Sequence, residues 1–190
     1  FFQEGLPEGV WTYWNKKGDK DFDFDFGSGL EHISLEDLVE RESMFYKLGD
    51  DIPFTGIITQ ENPEADYLFL GRTKEGKKDG QWVKWFPSGK DVPEIILVDV
   101  PTPEPAVPWS GGKQEQGGFK GGEKHGDWTE WYDNEHIKSH GTYNEGIMDG
   151  PWTFYHQNGV KEKEGSLTNG NADGLWIFWN DEANKIQEGT

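Results

Sequence analysis

Cysteine is absent from this 190-residue chain. That excludes disulfides, thiolate nucleophiles and Cys-ligated zinc or iron–sulfur centres. Positive charge is scarce as well: 18 Lys and Arg stand against 36 Asp and Glu, for a formal charge of −18. So acidic a surface repels phosphate backbones and anionic headgroups, so neither nucleic acid nor a membrane surface is an expected partner. It favours cationic partners and divalent cations. No apolar run reaches the roughly 20 residues that span a bilayer, and there is no signal-peptide pattern. The chain does not open on Met, which favours removal of an N-terminal segment on export, and hence an extracellular or cell-surface location.

Aromatic residues supply much of the apolar content: 10 Trp, 12 Phe and 6 Tyr. The core is therefore expected to be built from ring area, of which each large ring buries roughly 150–250 Å². The 26 glycines are not scattered; they mark a repeat. "GGFKGGEKHGDWTEWYDNEH" from Gly117, "GTYNEGIMDGPWTFYHQNGV" from Gly141 and "GSLTNGNADGLWIFWNDEAN" from Gly165 begin 24 residues apart. Gly126, Gly150 and Gly174 stand two residues before Trp128, Trp152 and Trp176, and Trp131, Tyr155 and Trp179 follow three further on. Upstream, Gly71, Gly80, Trp82 and Trp85 fit the same frame, and Gly56 lies one period before Gly80.

These phases divide the chain into a partial N-terminal repeat (1–27), an irregular connecting segment (28–55), repeats (56–92), a Pro-rich insertion (93–116) and three repeats (117–190) ending at the start of a further one. Within 28–55, "SLEDLVERESMFY" allows a short helical turn capped by Ser34, though "LVERESMFY" also reads as strand. Each unit reads as two strands: "PWTFYH" is aromatic and β-branched, "QNG" turns, "VKEKEG" returns and "NEGIMDG" turns again. Such short connections force neighbours to be antiparallel. The expected fold is all-β, an elongated array of antiparallel hairpins in one twisted or coiled sheet. Neither helices nor a second sheet are foreseen to cover its two aromatic faces.

The pattern "GTYNEGIMDGPWTFYHQNGVKEKEG", with "DLVERESMFYKLGDDIPFTGI", resembles the MORN-repeat variant of bacterial YwqK-like proteins. The resemblance covers most of the chain outside the Pro-rich insertion and residues near 28–43. It implies an elongated hairpin array. It also implies an antitoxin or immunity protein of a toxin–antitoxin system, or an interaction scaffold, and it designates no catalytic residues.

Among candidate sites, "DFDFDFG" alternates, placing Phe22, Phe24 and Phe26 on one strand face and Asp21, Asp23 and Asp25 on the other. The carboxylates are a weak Ca²⁺ candidate, because same-face residues on a strand lie about 7 Å apart and three in a row do not share an ion without a loop. His136 and His140 have helical zinc spacing but fall on an expected strand, about 13 Å apart. No other cofactor is expected, and no acid–base or nucleophile constellation stands out, so the protein is not expected to be an enzyme. Two aromatic rows recur once per period: Trp82, Trp128, Trp152 and Trp176, and Trp85, Trp131, Tyr155 and Trp179. One row is expected in the core; the other is core too, or a platform for sugars or a protein partner.

The ends share the frame. Gly189 opens a repeat and is followed by Thr190, while Phe1, Phe2 and Gly5 fall just after such an opening. Phe2 takes the slot of Phe119 and Tyr143, and Gly5 that of Gly146. The leading expectation is a structural repeat protein that stacks head to tail into a filament through Phe1, Phe2, Gly5, Gly189 and Thr190. The alternative is an immunity protein that covers a toxin's active site.

Overall fold

The computed structural model describes residues 2–3, 6–14, 20–60, 68–85 and 112–189. Among them lie short strands β1 (Phe2–Gln3) and β2 (Leu6–Pro7), then β3 (Val10–Trp14), β4 (Lys20–Asp25) and β5 (Glu31–Ser34). A 3-10 turn (Leu35–Asp37) leads to β6 (Leu38–Arg41), β7 (Met44–Lys47), β8 (Gly56–Gln60), β9 (Leu68–Lys74) and β10 (Lys77–Trp85). The repeats follow as β11 (Lys113–Lys120), β12 (Glu123–Trp131), β13 (Ile137–Asn144), β14 (Ile147–Tyr155), β15 (Lys161–Thr168), β16 (Asn171–Trp179) and β17 (Lys185–Gly189). The expected all-β class holds. β8 to β17 meander in chain order through one open sheet, which β5 completes beside β8.

Two turn types build the meander. At one end of the strands, two-residue turns put Glu75 and Gly76, Gly121 and Gly122, Glu145 and Gly146, and Asn169 and Gly170 all at positive φ. This is the conformation whose twist matches that of paired strands. At the other end, three-residue loops close with a left-handed residue, Glu135, Gly159 or Ala183. Successive turns are tied together. The Gly146 N–H donates to the Lys124 carbonyl and the Gly170 N–H to that of Met148, both at 2.9 Å. On the opposite rim Tyr132 Oη donates to the Tyr155 carbonyl at 2.8 Å, and His156 Nε2 to that of Trp179 at 3.0 Å.

The sheet departs from the sequence expectation in three places. First, β5 pairs with β8 in parallel, His32 opposite Ile57. Residues 35–55 supply a crossover long enough for a parallel neighbour, which the tight turns elsewhere do not. Second, both faces are covered at the β5–β10 end. Adjacent Ile57 and Ile58 point opposite ways: Ile57 meets Phe22, Phe24 and Phe26 of the β3–β4 hairpin region, with Val83 and Trp85, while Ile58 meets Leu38 and Phe45 of the β6–β7 hairpin, with Phe54 and Trp82. The chain thus makes its own covering layers. Third, among the described residues strands β1 to β4 do not extend the sheet. There β3 and β4 pair only with each other and lie across its face, Phe22 beside Trp85 on β10 and Phe26 beside His32 on edge strand β5.

The segment after Ser34 begins with the 3-10 turn, whose cap makes no side-chain hydrogen bond, and continues as the β6–β7 hairpin. Ile58 stands in the tryptophan slot two residues after Gly56, and is fully buried. Although residues 86–111 intervene, β10 and β11 are direct neighbours, with Trp82 opposite Gly117.

Candidate functional site

Each repeat is organised around one tryptophan and one glycine. Trp82, Trp128, Trp152 and Trp176 lie over Gly71, Gly117, Gly141 and Gly165 on the preceding strand, so close that a Cβ on any of these glycines would overlap the indole. The strand carrying the tryptophan bulges to allow this. From Lys78 to Trp82 β10 runs four positions while β9 runs two, from Thr73 to Gly71, and the glycine in the bulge (Gly80, Gly126, Gly150 or Gly174) has positive φ. The bulge leaves a carbonyl for the indole. Nε1 of Trp82, Trp128, Trp152 and Trp176 donates to the carbonyls of Arg72, Gly118, Thr142 and Ser166 at 2.8, 2.9, 3.1 and 3.1 Å.

Among the described residues no second sheet lies over this row at β12–β16, yet its tryptophans are buried. It is covered by its own aromatic neighbours: Phe119, Trp128, Tyr143 and Trp152 follow one another edge to face at 5.2–5.9 Å, and Phe154 stacks on Trp152 at 5.7 Å. Lysine stems close the gaps. Lys124 Nζ sits 3.8 Å from the centre of Trp128, and Lys78 lies over both Trp82 and Phe119. Burial there pulls the Lys78 pKa below its ordinary value, against the opposing pull of Glu115 and Glu40.

The second row divides. Trp85 is buried beneath Phe22, whereas Trp131, Tyr155 and Trp179 are half-buried. Lys113 lies over Trp131 and donates to Asp21 at 2.5 Å, tying the hairpin to β11; Lys161 lies over Trp179. An open groove of about 490 Å³ beside Trp131 is lined by Lys84, Glu115, Glu130, Tyr132 and Lys138.

The three aspartates of β4 are directed to different partners. Asp21 binds Lys113, Asp23 accepts from Thr12 Oγ1 and Lys20 Nζ at 2.7 Å each, and Asp25 accepts the Gly27 N–H at 2.9 Å. The Lys20 and Thr12 bonds hold the Asp23 carboxyl below its usual pKa. Among the described residues no three His, Asp or Glu are arranged to hold a metal ion. His136 falls in the turn before β13, not on the strand as expected; its Nδ1 meets the Gln157 carbonyl, while His140 Nδ1 meets Thr129 Oγ1. No helix among the described residues is long and apolar enough to cross a membrane.

Of the expected assembly residues, Phe1, Gly5 and Thr190 lie outside the described residues; Phe2 pairs with Pro7 in β1–β2, and Gly189 ends β17. Gly189 differs from the other glycines of its row. It occupies the slot of Gly141 and Gly165, yet nothing lies within 4 Å of where its Cβ would be. β17 is the terminal strand of the sheet, and on it and the neighbouring β16, Ile186 and Leu175 are 65 % and 53 % exposed. Sequence reasoning passed over Leu175, although it replaces the Asp127 and Pro151 of earlier repeats.

The chain is an all-β protein of repeated, open, mostly antiparallel hairpins. Compared with known proteins, it matches no protein-family model and no curated protein.

Proposed function

We propose that the protein is a non-catalytic interaction scaffold that associates with further copies of itself, end to end, through the open β17 edge. The observation that carries this is Gly189: four equivalent glycines lie under a tryptophan from the following strand, whereas no described atom lies within 4 Å of a Cβ built on this one, and its strand has no partner on the outer side among the described residues. Exposed edges are templates for strand addition. A contact between two different surfaces that does not close on itself propagates into a filament.

The formal charge of −18 opposes association. Screening shortens the reach of that repulsion, to about 3 Å at 1 M salt against about 10 Å at 0.1 M, so assembly should strengthen as salt is added. Sedimentation velocity across protein and NaCl concentrations, with electron microscopy of the same samples, tests this. Salt-promoted, linearly growing oligomers are expected. A single monomer species at high protein and high salt overturns the proposal.

A second reading draws on the half-buried row Trp131, Tyr155 and Trp179. On so acidic a protein these rings suit a basic partner, as in the antitoxin or immunity role implied by the YwqK-like resemblance. A basic toxin encoded beside the gene, bound by this chain and released by Tyr155→Ala, would favour it over self-association.

A further inference from the structure

Three departures from the repeat coincide beside Trp131. Gly118 stands in the slot that Thr142 and Ser166 fill one and two periods later, so the sheet has no side chain there. Asp127 stands in the slot of Pro151 and Leu175. Asp21 of the β3–β4 hairpin adds a wall, held in place by Lys113 at 2.5 Å. Together they leave an open cleft of about 410 Å³, whose lining includes Asp21, Gln81, Gly118, Asp127, Thr129 and Trp131. Trp131 also lines the 490 Å³ groove described above, so its ring divides two clefts. Both have the size of small-ligand sites, which run to roughly 300–1,000 Å³.

The lining decides what fits. One aromatic ring is set among carboxylates, a carboxamide and a hydroxyl. An apolar ligand would strand these groups without hydrogen-bond partners, which costs more than contact with one ring gives back. An anion meets Asp21 and Asp127 on a protein whose formal charge is −18. A cation gains little, because the nearby carboxylates are already matched: Asp21 with Lys113, Glu115 and Glu130 with Lys124, and Glu130 again with Lys138.

We infer that the cleft binds a neutral hexose oligosaccharide, with one sugar ring stacked on Trp131 and its hydroxyls hydrogen-bonded to Asp21, Asp127 and Thr129. Each sugar hydroxyl both donates and accepts, so it can donate to a carboxylate and accept from an amide or an ammonium group. The C–H face of the sugar meets the electron-rich face of the indole. Thr129 Oγ1 meets His140 Nδ1 at 3.0 Å and keeps further hydrogen-bonding capacity for the ligand. The groove on the other side of Trp131 gives the next sugar units room to continue. Tyr155 and Trp179 occupy the same slot as Trp131, but Pro151, Leu175 and Ile177 stand where the polar lining would be. The site is therefore particular to one repeat, and it does not depend on self-association through β17.

Isothermal titration calorimetry of the full-length protein tests this, with cellotetraose, maltotetraose, mannotetraose and tetra-N-acetylchitotetraose as probes. At least one should bind. Trp131→Ala should weaken that binding tenfold or more, and Trp179→Ala, in the same row, should leave it unchanged. If Trp131→Ala folds poorly, Asp127→Leu keeps the test sound. Asp127 is exposed and leucine already stands in its slot at Leu175, so the melting temperature should hold while affinity falls tenfold or more. No heat of binding from any of the four at millimolar concentration overturns the proposal. So does binding that both Trp131→Ala and Asp127→Leu leave intact. Polygalacturonate bound as tightly as the neutral probes overturns the neutral class, and polylysine bound through Trp131 in place of every tetrasaccharide assigns the cleft to a basic partner instead.

Discussion

Trp152 lies flat on Gly141, with its Nε1 donating to the carbonyl of Thr142 at 3.1 Å. The pair joins β14 to β13 through a ring, a missing side chain and one hydrogen bond. Trp152→Ala should therefore cost about 3–5 kcal/mol, the usual loss for a buried tryptophan. Gly141→Ala, which drives a methyl group into the indole, should cost about 1–3 kcal/mol as overpacking. Urea denaturation of both variants and their combination is the measurement. The double variant should lose less than the two losses added together, because the alanine at 141 has nothing to strike once the ring is gone. The exposed control Lys120→Ala should stay within about 0.5 kcal/mol.

The three-residue loops close with Glu135, Gly159 and Ala183 at φ of 68°, 85° and 66°. Side chains there carry a cost of about 1–2 kcal/mol, part of which glycine gives back through its freedom in the unfolded chain. Ala183→Gly should raise the melting temperature and Gly159→Ala should lower it. Calorimetry that finds both unchanged would show that these loops do not limit stability.

His32 stacks on Phe26 at 5.4 Å, and burial lowers its pKa below the ordinary 6.5, against the pull of Glu8. The folded protein thus holds this proton less tightly than the unfolded chain. The contribution of neutral His32 is complete above pH 6.5, falls as pH drops through 6.5, and is gone below the folded-state value. His32→Phe should flatten the difference between denaturation midpoints at pH 8 and pH 5. If wild type and variant lose equal stability over that range, His32 is not responsible.

Asp21 and Lys113 join the β3–β4 hairpin to β11 of the repeat array. Lys113 is largely buried, which lowers its pKa, while Asp21 pulls the other way. Asp21→Ala leaves a cation enclosed without its carboxylate and should cost about 1–3 kcal/mol. Adding Lys113→Met should restore part of this. A thermodynamic cycle with no coupling between the two positions would contradict the pairing.

The hairpin array was legible because its signals are local. Glycine in the bulge, tryptophan two positions later and a turn at each end recur every 24 residues, and the ladders from β9 to β17 follow that frame. The covering layers were not legible. Nothing in "DFDFDFG" says whether a strand with one apolar face continues a sheet or lies across one, since Phe22, Phe24 and Phe26 alternate identically in both. The parallel β5–β8 pair was hidden for a similar reason, its partners being separated by a hairpin that belongs to another layer. At the β17 end, sequence phase singled out Gly189, while the place of β3 across the sheet depended on where the first hairpin came to rest.

The neighbouring positions of β10 and β11 have a consequence for how such a molecule can change. Trp82 faces Gly117 in the same register that Trp128 keeps with Gly141, although β10 and β11 are separated in sequence by residues 86–111. Closing a longer connection is cheap, about 0.6 kcal/mol for each doubling of a flexible loop. The rim after Trp85 is thus a socket where a passenger peptide or a whole foreign domain can be spliced in, with the strands on either side left in step.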